Sequence, residues 1–329
     1  MTRRIGPFAV SPIGLGCMNL SHAYGVPPDA ETGARLLNAA LDLGYTHLDT
    51  AALYGFGTNE TLVGNTLKAR RGEYTLASKC GIFRNADGKR EIDGRPEAIR
   101  QTCDDSLRRL RTDVIDLYYL HRWDKRVPIE ESVGALAELV EAGKVRTIGL
   151  SEVSADTIRK AHAVHPIAAV QSEYSPWTRN PELAVFDVCR QQGIAFVAFS
   201  PVGRGFFGGG VRDSAFAEKD IRRGMPRFQG DNLPANLLLL DGLRAIAREQ
   251  DCSMAQLALA WVLAQGDFVT AIPGTTRLDH LADNLKAAGI RLDKEIEDRV
   301  AALFAHDKVR GARYNAATQA EIDTEEWPT

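Results

Sequence analysis

Eight short β-branched or apolar runs recur along this chain, each bounded by turn residues and most followed by a segment of helical period. They read as strands at Ile13–Cys17, Thr46–Thr50, Thr75–Lys79, Ile115–His121, Arg146–Leu150, Ala168–Gln171, Ala195–Phe199 and Val269–Ile272. Between them Ile99, Cys103, Leu107 and Leu110 share one helical face, as do Val133, Leu136, Leu139 and Val140. Pro96 and Pro181 suit first helical turns, Asp29 and Ser154 suit N-caps, and Gly44, Gly143, Gly193 and Gly289 suit positions just past helix ends. Strands alternating with helices of this length need crossover connections, and therefore a parallel sheet. Such a sheet stays open or closes on itself. Polar residues stand at the C-terminal ends of most runs: Asp49, Lys79, His121, Ser151, Gln171, Ser200 and Thr275. Only a closed barrel gathers them at one mouth, so the expected fold is α/β, a (β/α)8 TIM barrel.

Three pieces fall outside the eightfold pattern. Residues 3–10 read as a hairpin turning at Gly6-Pro7, placed to plug the barrel bottom. The stretch 201–236 is Gly- and Arg-rich with weak periodicity, and loops of that length are usually functional or mobile. From 294 to 329 one amphipathic helix (Ile296, Val300, Leu303) leads into an acidic tail expected to be loose. No linker divides the 329 residues, so one domain is expected, with the barrel at about 13–290. Lys+Arg 40 against Asp+Glu 43, with no basic block, argues against nucleic acid and anionic membrane surfaces as partners. No run approaches the roughly 18 apolar residues of a membrane span, and the start MTRRIGPFAV has no signal-peptide core. Cysteines 17, 80, 103, 189 and 252 include no Cys-x-x-Cys pair, which suits reduced thiols in a cytoplasmic protein.

The chemistry concentrates at three consecutive strand ends. Asp49 and Lys79, at the inner ends of neighbouring strands, cannot stay buried as isolated charges and should pair. Tyr54 follows in the loop after Asp49, where the Lys79 ammonium is expected to pull its pKa down from roughly 10 and make it a useful acid. His121, neutral, would orient a substrate carbonyl. The set needs no metal. Taken singly, each has a bland explanation: a structural ion pair, a packed tyrosine, a satisfied core histidine. Their joint placement is what argues for chemistry.

Two further segments suit anions. Gly203-Arg204-Gly205-Phe206-Phe207-Gly208 satisfies G-x-G-x-x-G but opens no βαβ unit, which excludes a Rossmann reading. Its amides and Arg204 could still fold over a pyrophosphate. Gly274, Thr275, Thr276 and Arg277 follow the last strand and precede a helix N-terminus, a ready phosphate site.

Read together, GLGCM, DTAALYGFGTNE, KCG, YYLHR, GLS, VQSEYS, SPVGRG and IPGT resemble the aldo-keto reductase family, in its bacterial and plant-type branch, from about Ile13 to Asn284. The resemblance implies a TIM barrel binding NADPH, with NADH possible, across its C-terminal mouth, and reduction of a small-molecule aldehyde or ketone. It implies Tyr54 as general acid, Lys79 and Asp49 as its tuning pair and His121 as the carbonyl-orienting residue. It places Ser151, Glu152 and Gln171 at the nicotinamide carboxamide, Phe199 under the ring, and Gly16, Cys17 and Met18 nearby. Ser200, Pro201, Val202, Gly203, Arg204 and Gly205 would close over the pyrophosphate. Gly274, Thr275, Thr276, Arg277, His280, Asp283 and Asn284 would meet the adenosine end.

Two departures stand out. Glu152 occupies a position where many members carry Asn, and Gly274 one where some carry Lys, leaving Arg277, with Arg204, to recognise a 2′-phosphate. Tyr24, Phe56 and Trp123 are the first candidates for a substrate wall, with Trp177, Phe206, Phe207 and Tyr314 behind them. An aromatic mouth suits small aldehydes or a cyclic ketone such as a 3-keto-trichothecene. A monomer or weak oligomer is expected. Two alternatives stay open: a redox-sensing, cofactor-binding regulatory subunit like a channel β subunit, and a barrel enzyme using Lys79 as a Schiff-base nucleophile.

Overall fold

Period-two alternation decides how the eight runs assemble. In a computed structural model of the chain, describing residues 2–85 and 87–327, β1 (Arg3–Ile5) and β2 (Phe8–Val10) form the N-terminal hairpin. Then come β3 (Leu15–Gly16), β4 (His47–Asp49) and β5 (Thr75–Cys80). A second hairpin, β6 (Ile82–Arg84) with β7 (Arg90–Ile92), follows β5 and has no counterpart in the sequence reading. The remaining strands are β8 (Ile115–Leu120), β9 (Val145–Ser151), β10 (Ile167–Glu173), β11 (Ala195–Phe199) and β12 (Val269–Ile272). Eight of these pair in the order β3-β4-β5-β8-β9-β10-β11-β12, all in parallel.

The two outer strands of that order meet. Gly14 N donates to Ala271 O at 2.8 Å, and Ala271 N donates to Pro12 O at 3.0 Å. Closure removes both sheet edges. The seam requires glycine at position 16, where a Cβ would lie 2.7 Å from Ile272 O. Gly149 is required for a different reason: a Cβ there would lie 2.5 Å from the Tyr119 ring inside the barrel.

Leu48, Leu76, Tyr118, Leu120, Ile148, Leu150 and Val170 face outward into the layer shared with the helices. Ala77, Leu117, Tyr119, Ala169, Ala195, Val197 and Ile272 face inward. Ile5 and Val10 of the hairpin join that inner cluster, so the hairpin plugs the N-terminal end. Burying each of the leucine, isoleucine and valine side chains contributes about 1.5–3 kcal/mol.

The surrounding helices are α1 (Ala30–Asp42), α2 (Thr58–Leu67), α3 (Pro96–Leu110), α4 (Ile129–Glu141), α5 (Ala155–Val164), α6 (Val185–Gln192), α7 (Asn232–Glu249), α8 (Met254–Ala264) and α9 (Leu278–Lys286). Asp29 caps α1 and Ser154 caps α5, as their side-chain types suggest. Pro181 lies instead in a 3-10 turn ahead of α6. The stretch 201–236 is three short 3-10 turns running into α7.

The tail after α10 (Lys294–Leu303) and the short α11 (Ala316–Gln319) corrects one expectation. Its acidic residues are not loose. Asp323 Oδ2 accepts from Ser154 Oγ at 2.9 Å and Thr157 Oγ1 at 2.6 Å, and Glu325 Oε1 accepts from Ala155 N at 2.8 Å. These carboxylates sit at the N-terminus of α5, where the helix dipole favours negative charge. Pro328 and Thr329, the end of the expected tail, lie outside the described residues. Among the described residues no helix is long and apolar enough to cross a membrane.

Candidate active site

The inward phase of each strand selects the residues of the mouth. On β5 it runs Ala77, Lys79; on β4, His47, Asp49; on β8 it reaches His121 one step past the strand; on β9 and β10 it ends at Ser151 and Glu173. Lys79 is 1% exposed. Its Nζ donates to Asp49 Oδ1, to Thr50 O at 2.8 Å and to the Tyr54 hydroxyl at 3.2 Å. The second Asp49 oxygen accepts from Gln171 Nε2 at 2.8 Å. Both Asp49 oxygens are thereby engaged.

Tyr54 arrives from a loop, and Asn59 holds that loop. Thr50 Oγ1 donates to Asn59 Oδ1 at 2.6 Å, while Asn59 Nδ2 donates to Cys17 O at 2.8 Å and Ser21 Oγ at 2.9 Å. Three separate segments are thereby tied around the phenol. Tyr54 and His121 are each 8% exposed, with ring centroids 5.9 Å apart in an edge-on arrangement.

The electrostatics overturn one expectation. Burial pushes the Tyr54 phenol above its ordinary value of 10; Lys79 pulls it back, and Asp49 adds to the rise. The desolvation of a phenolate outweighs the nearby ammonium, so Tyr54 holds its proton at rest. For Lys79 burial works against the charge, but Asp49 and Tyr54 reverse it and leave the ammonium more basic than usual. His121 lies well below 6.5, through burial first and then Arg122, Lys79 and Arg90. It is a neutral imidazole at ordinary pH.

A protonated phenol touching a buried, carboxylate-held ammonium beside a neutral imidazole is an acid waiting for negative charge to develop. Over residues 12–304 the sequence matches the Aldo/keto reductase family. The chain belongs to the aldo/keto reductase family.

A probable aldo-keto reductase of Glycine max is 45% identical over 94% of this chain and 90% of its own length. An aldo-keto reductase of Schizosaccharomyces pombe, whose name specifies NADP(+), is 42% identical over 99% of this chain and 98% of its own. Among solved structures, a glycerol dehydrogenase from Gluconobacter oxydans superposes with a TM-score of 0.85 at 31% identity, covering 92% of this chain and 95% of that one. A Klebsiella pneumoniae aldo/keto reductase solved with NADP and acetate gives 0.73 at 27% identity, covering 95% and 98%.

In this aldo/keto reductase the other residues singled out by sequence divide into those that face the mouth and those that do not. Gly16 and Gly274 meet at the barrel seam; a Cβ on Gly274 would lie 2.6 Å from Asn19 Oδ1. Met18 and Phe199 are half-buried, whereas Cys17 is buried and its thiol is pushed up to about 12, chiefly by burial. Thr276, Arg277 and His280 are exposed at the start of α9, with Arg277 Nε donating to Asp279 Oδ1 at 3.0 Å. Thr275 is buried, and its hydroxyl accepts from Arg277 N at 3.0 Å. Asp283 accepts from Gln256 Nε2 at 2.8 Å, and Asn284 is buried beside it.

Arg204 is a correction. Expected to grip phosphate, it is buried instead, donating to Glu173 Oε2 at 2.6 Å and to the Tyr314 hydroxyl at 2.9 Å. A buried guanidinium takes the nearest carboxylate, and β10 supplies one. Glu173 also accepts from Arg313 Nε at 2.9 Å, and Arg313 Nη2 pairs with Glu152. Glu152, at a φ of 57°, accepts from Glu173 N at 2.7 Å as well. This cluster binds the ends of β9 and β10 to the loop after β11 and to the C-terminal segment. Sequence reading named neither Glu173 nor Arg313; Glu152 in an asparagine position was the one signal.

The aromatic wall shrinks. Trp177, Phe206 and Phe207 are core residues, with Trp177 stacked on Phe206 at 4.2 Å, and Tyr314 is buried against Arg204. Their apolar area is spent on holding the 203–208 turn. Tyr24, Phe56 and Trp123 remain half-buried; Trp123 Nε1 donates to Val127 O at 2.9 Å.

Proposed function

We propose that this aldo/keto reductase reduces an aldehyde or ketone to the alcohol with NADPH, Tyr54 delivering the proton. The observation that carries it is the 3.2 Å contact between the Tyr54 hydroxyl and the Lys79 ammonium, beside the edge of His121. The S. pombe relative, named for NADP(+), and the Klebsiella structures with NADP or NADPH support the choice of cofactor. The chain's own residues fit that group. The exposed start of α9 with Arg277 suits an anion. Ser151, Gln171 and the half-buried Phe199 would hold the nicotinamide end; Arg277 would meet the 2′-phosphate in place of Arg204.

The bound dinucleotide supplies the hydride. Everything else falls to side chains. Tyr54 and neutral His121 donate hydrogen bonds to the carbonyl oxygen and fix its orientation. As charge develops on that oxygen, Tyr54 passes its proton across. The phenolate left behind is stabilised by Lys79 Nζ, which Asp49 and Thr50 O hold in place. Lys79, kept charged against its burial by Asp49 and Tyr54, is a poor Schiff-base nucleophile. The reduced aromatic wall favours small aldehydes over a polycyclic ketone.

The test is NADPH and NADH oxidation over a panel of aldehydes and ketones. NADPH should be consumed faster than NADH, and Arg277→Ala should narrow that preference by about tenfold. Tight NADPH binding with no carbonyl reduced would replace this reading with the regulatory-subunit one.

A further inference from the structure

Arg122 leaves β8 directly after His121, and its side chain turns toward the end of β9. Nη1 donates to His121 O at 2.7 Å and to Ser151 Oγ at 3.3 Å. Nε is buried without a hydrogen-bond partner, and among the described residues no carboxylate pairs with this guanidinium.

The same protein shows what that edge ordinarily does. Arg95 grips Asp93 through Nε and Nη2 at 3.0 and 2.7 Å, and Arg179 grips Glu182 the same way at 2.8 and 2.7 Å. Neighbouring cations at the mouth are likewise spoken for. Arg90 holds Glu321 at 2.6 and 2.8 Å, Arg126 holds Asp124 at 2.9 Å, and Arg204 holds Glu173 at 2.6 Å. Asp49 is spent on Lys79 and Gln171. The space beside Tyr54 and His121 therefore carries an excess of positive charge. His121 registers Arg122 and Lys79, and Tyr54 registers Arg122 too.

We propose that Arg122 is a substrate-recognition residue, its guanidinium receiving through Nη2 a carboxylate borne by the carbonyl compound, so that the preferred substrates are oxo acids. The inference rests on the carbonyl-reductase reading above. A guanidinium that no carboxylate of the chain neutralises favours an anion, and its place one residue from His121 would fix the distance between carbonyl and anion. It would also keep the site from favouring uncharged aldehydes.

The experiment compares acid and methyl ester of the same carbonyl compound at saturating NADPH. Two pairs span two distances: phenylglyoxylate with its ester, and 4-carboxybenzaldehyde with its ester. The wild type should favour the acid by about tenfold or more in kcat/KM in at least one pair, with the difference in KM. In Arg122→Gln that ratio should fall to one or below, and Arg122→Lys should recover part of it. An unchanged ratio in Arg122→Gln overturns the proposal. So does an equal fall for acid and ester together with weaker NADPH binding by fluorescence, which would leave Arg122 only the task of holding Ser151. If the wild type reduces none of the four, the carbonyl-reductase reading fails, and calorimetric titration with benzoate and benzamide decides about Arg122. Benzoate binding to the wild type and not to Arg122→Gln supports the carboxylate site; equal or absent binding of both overturns it.

Discussion

Lys79 and Arg313 are both buried cations at the C-terminal end of the barrel, and both hold carboxylates. Arg313 joins a closed set: Glu173 takes Arg204 and Arg313, while Glu152 takes Arg313 and the amide of Glu173. The phenol in that set, Tyr314, accepts from Arg204 at 2.9 Å and from Arg313 at 3.5 Å, beside two carboxylates already matched by two guanidiniums. Glu173 is held at about 2, because two arginines overcome a burial that alone would raise it. Lys79 has one carboxylate, one carbonyl oxygen and, as its third partner, a phenol. The difference lies in the setting of that third partner, which stands edge-on to His121 with ring centroids 5.9 Å apart. A buried cation in a set whose carboxylates and guanidiniums match charge for charge is a clamp. One completed by a proton-bearing group at 3.2 Å stands ready to stabilise the anion that remains when the proton leaves.

Breaking the second arrangement should give the largest effect. On the proposed mechanism Tyr54→Phe removes the proton donor and leaves the Lys79–Asp49 pair intact. Turnover should fall by about 10²–10⁴-fold, with NADPH binding and thermal midpoint nearly unchanged. Full turnover in that variant would end the assignment. Lys79→Met should damage both properties, since it leaves Asp49 buried with only Gln171. A stability loss of about 3–5 kcal/mol in urea unfolding is expected, together with loss of turnover. Adding Asp49→Asn should restore much of the stability and none of the turnover.

Arg313→Met attacks the clamp instead. It strands Glu152 and takes one of two cations from Glu173, so stability should fall by about 3 kcal/mol. Limited proteolysis should then cut the segment after α10, whose anchors run through this cluster. Turnover should fall far less than in Lys79→Met. An equal loss in both variants would mean that the two clusters work as one.

These two arrangements were not equally legible. Asp49, Lys79 and His121 fall at strand ends in step with the inward phase, so period-two alternation places them on one rim before any coordinates exist. Arg313 lies 161 residues from Glu152 and 140 from Glu173, and no local pattern joins residues so far apart. The acidic tail reads as loose because its charges look solvated; in the fold they cap α5. Trp177, Phe206 and Phe207 sit in mouth loops by sequence order, and only packing shows that they point into the core. The direction of the Tyr54 shift failed for a related reason. Sequence names the neighbouring charge but not the depth of burial, and depth won.

The pH dependence is the gentlest way to separate the two arrangements. Glu173 in the fold titrates at about 2 against an ordinary 4.5, so between these values the folded chain carries fewer protons than the unfolded one. Its stabilisation is complete above about 4.5 and drains away as pH falls toward 2. His121 acts earlier. Its folded value lies well below 6.5, so the unfolded chain takes up a proton first as pH drops through 6.5, and stability begins to decline there. Arg313→Met should shrink the loss between 4.5 and 2, since one arginine depresses Glu173 less than two, and leave the decline that starts near 6.5. Turnover measured over the range where the fold persists should behave differently again. With His121 already neutral and Tyr54 protonated beyond 10, kcat/KM for reduction should stay level from about 6.5 to about 10. An inflection near 6.5 would show that the imidazole carries a proton in the working site.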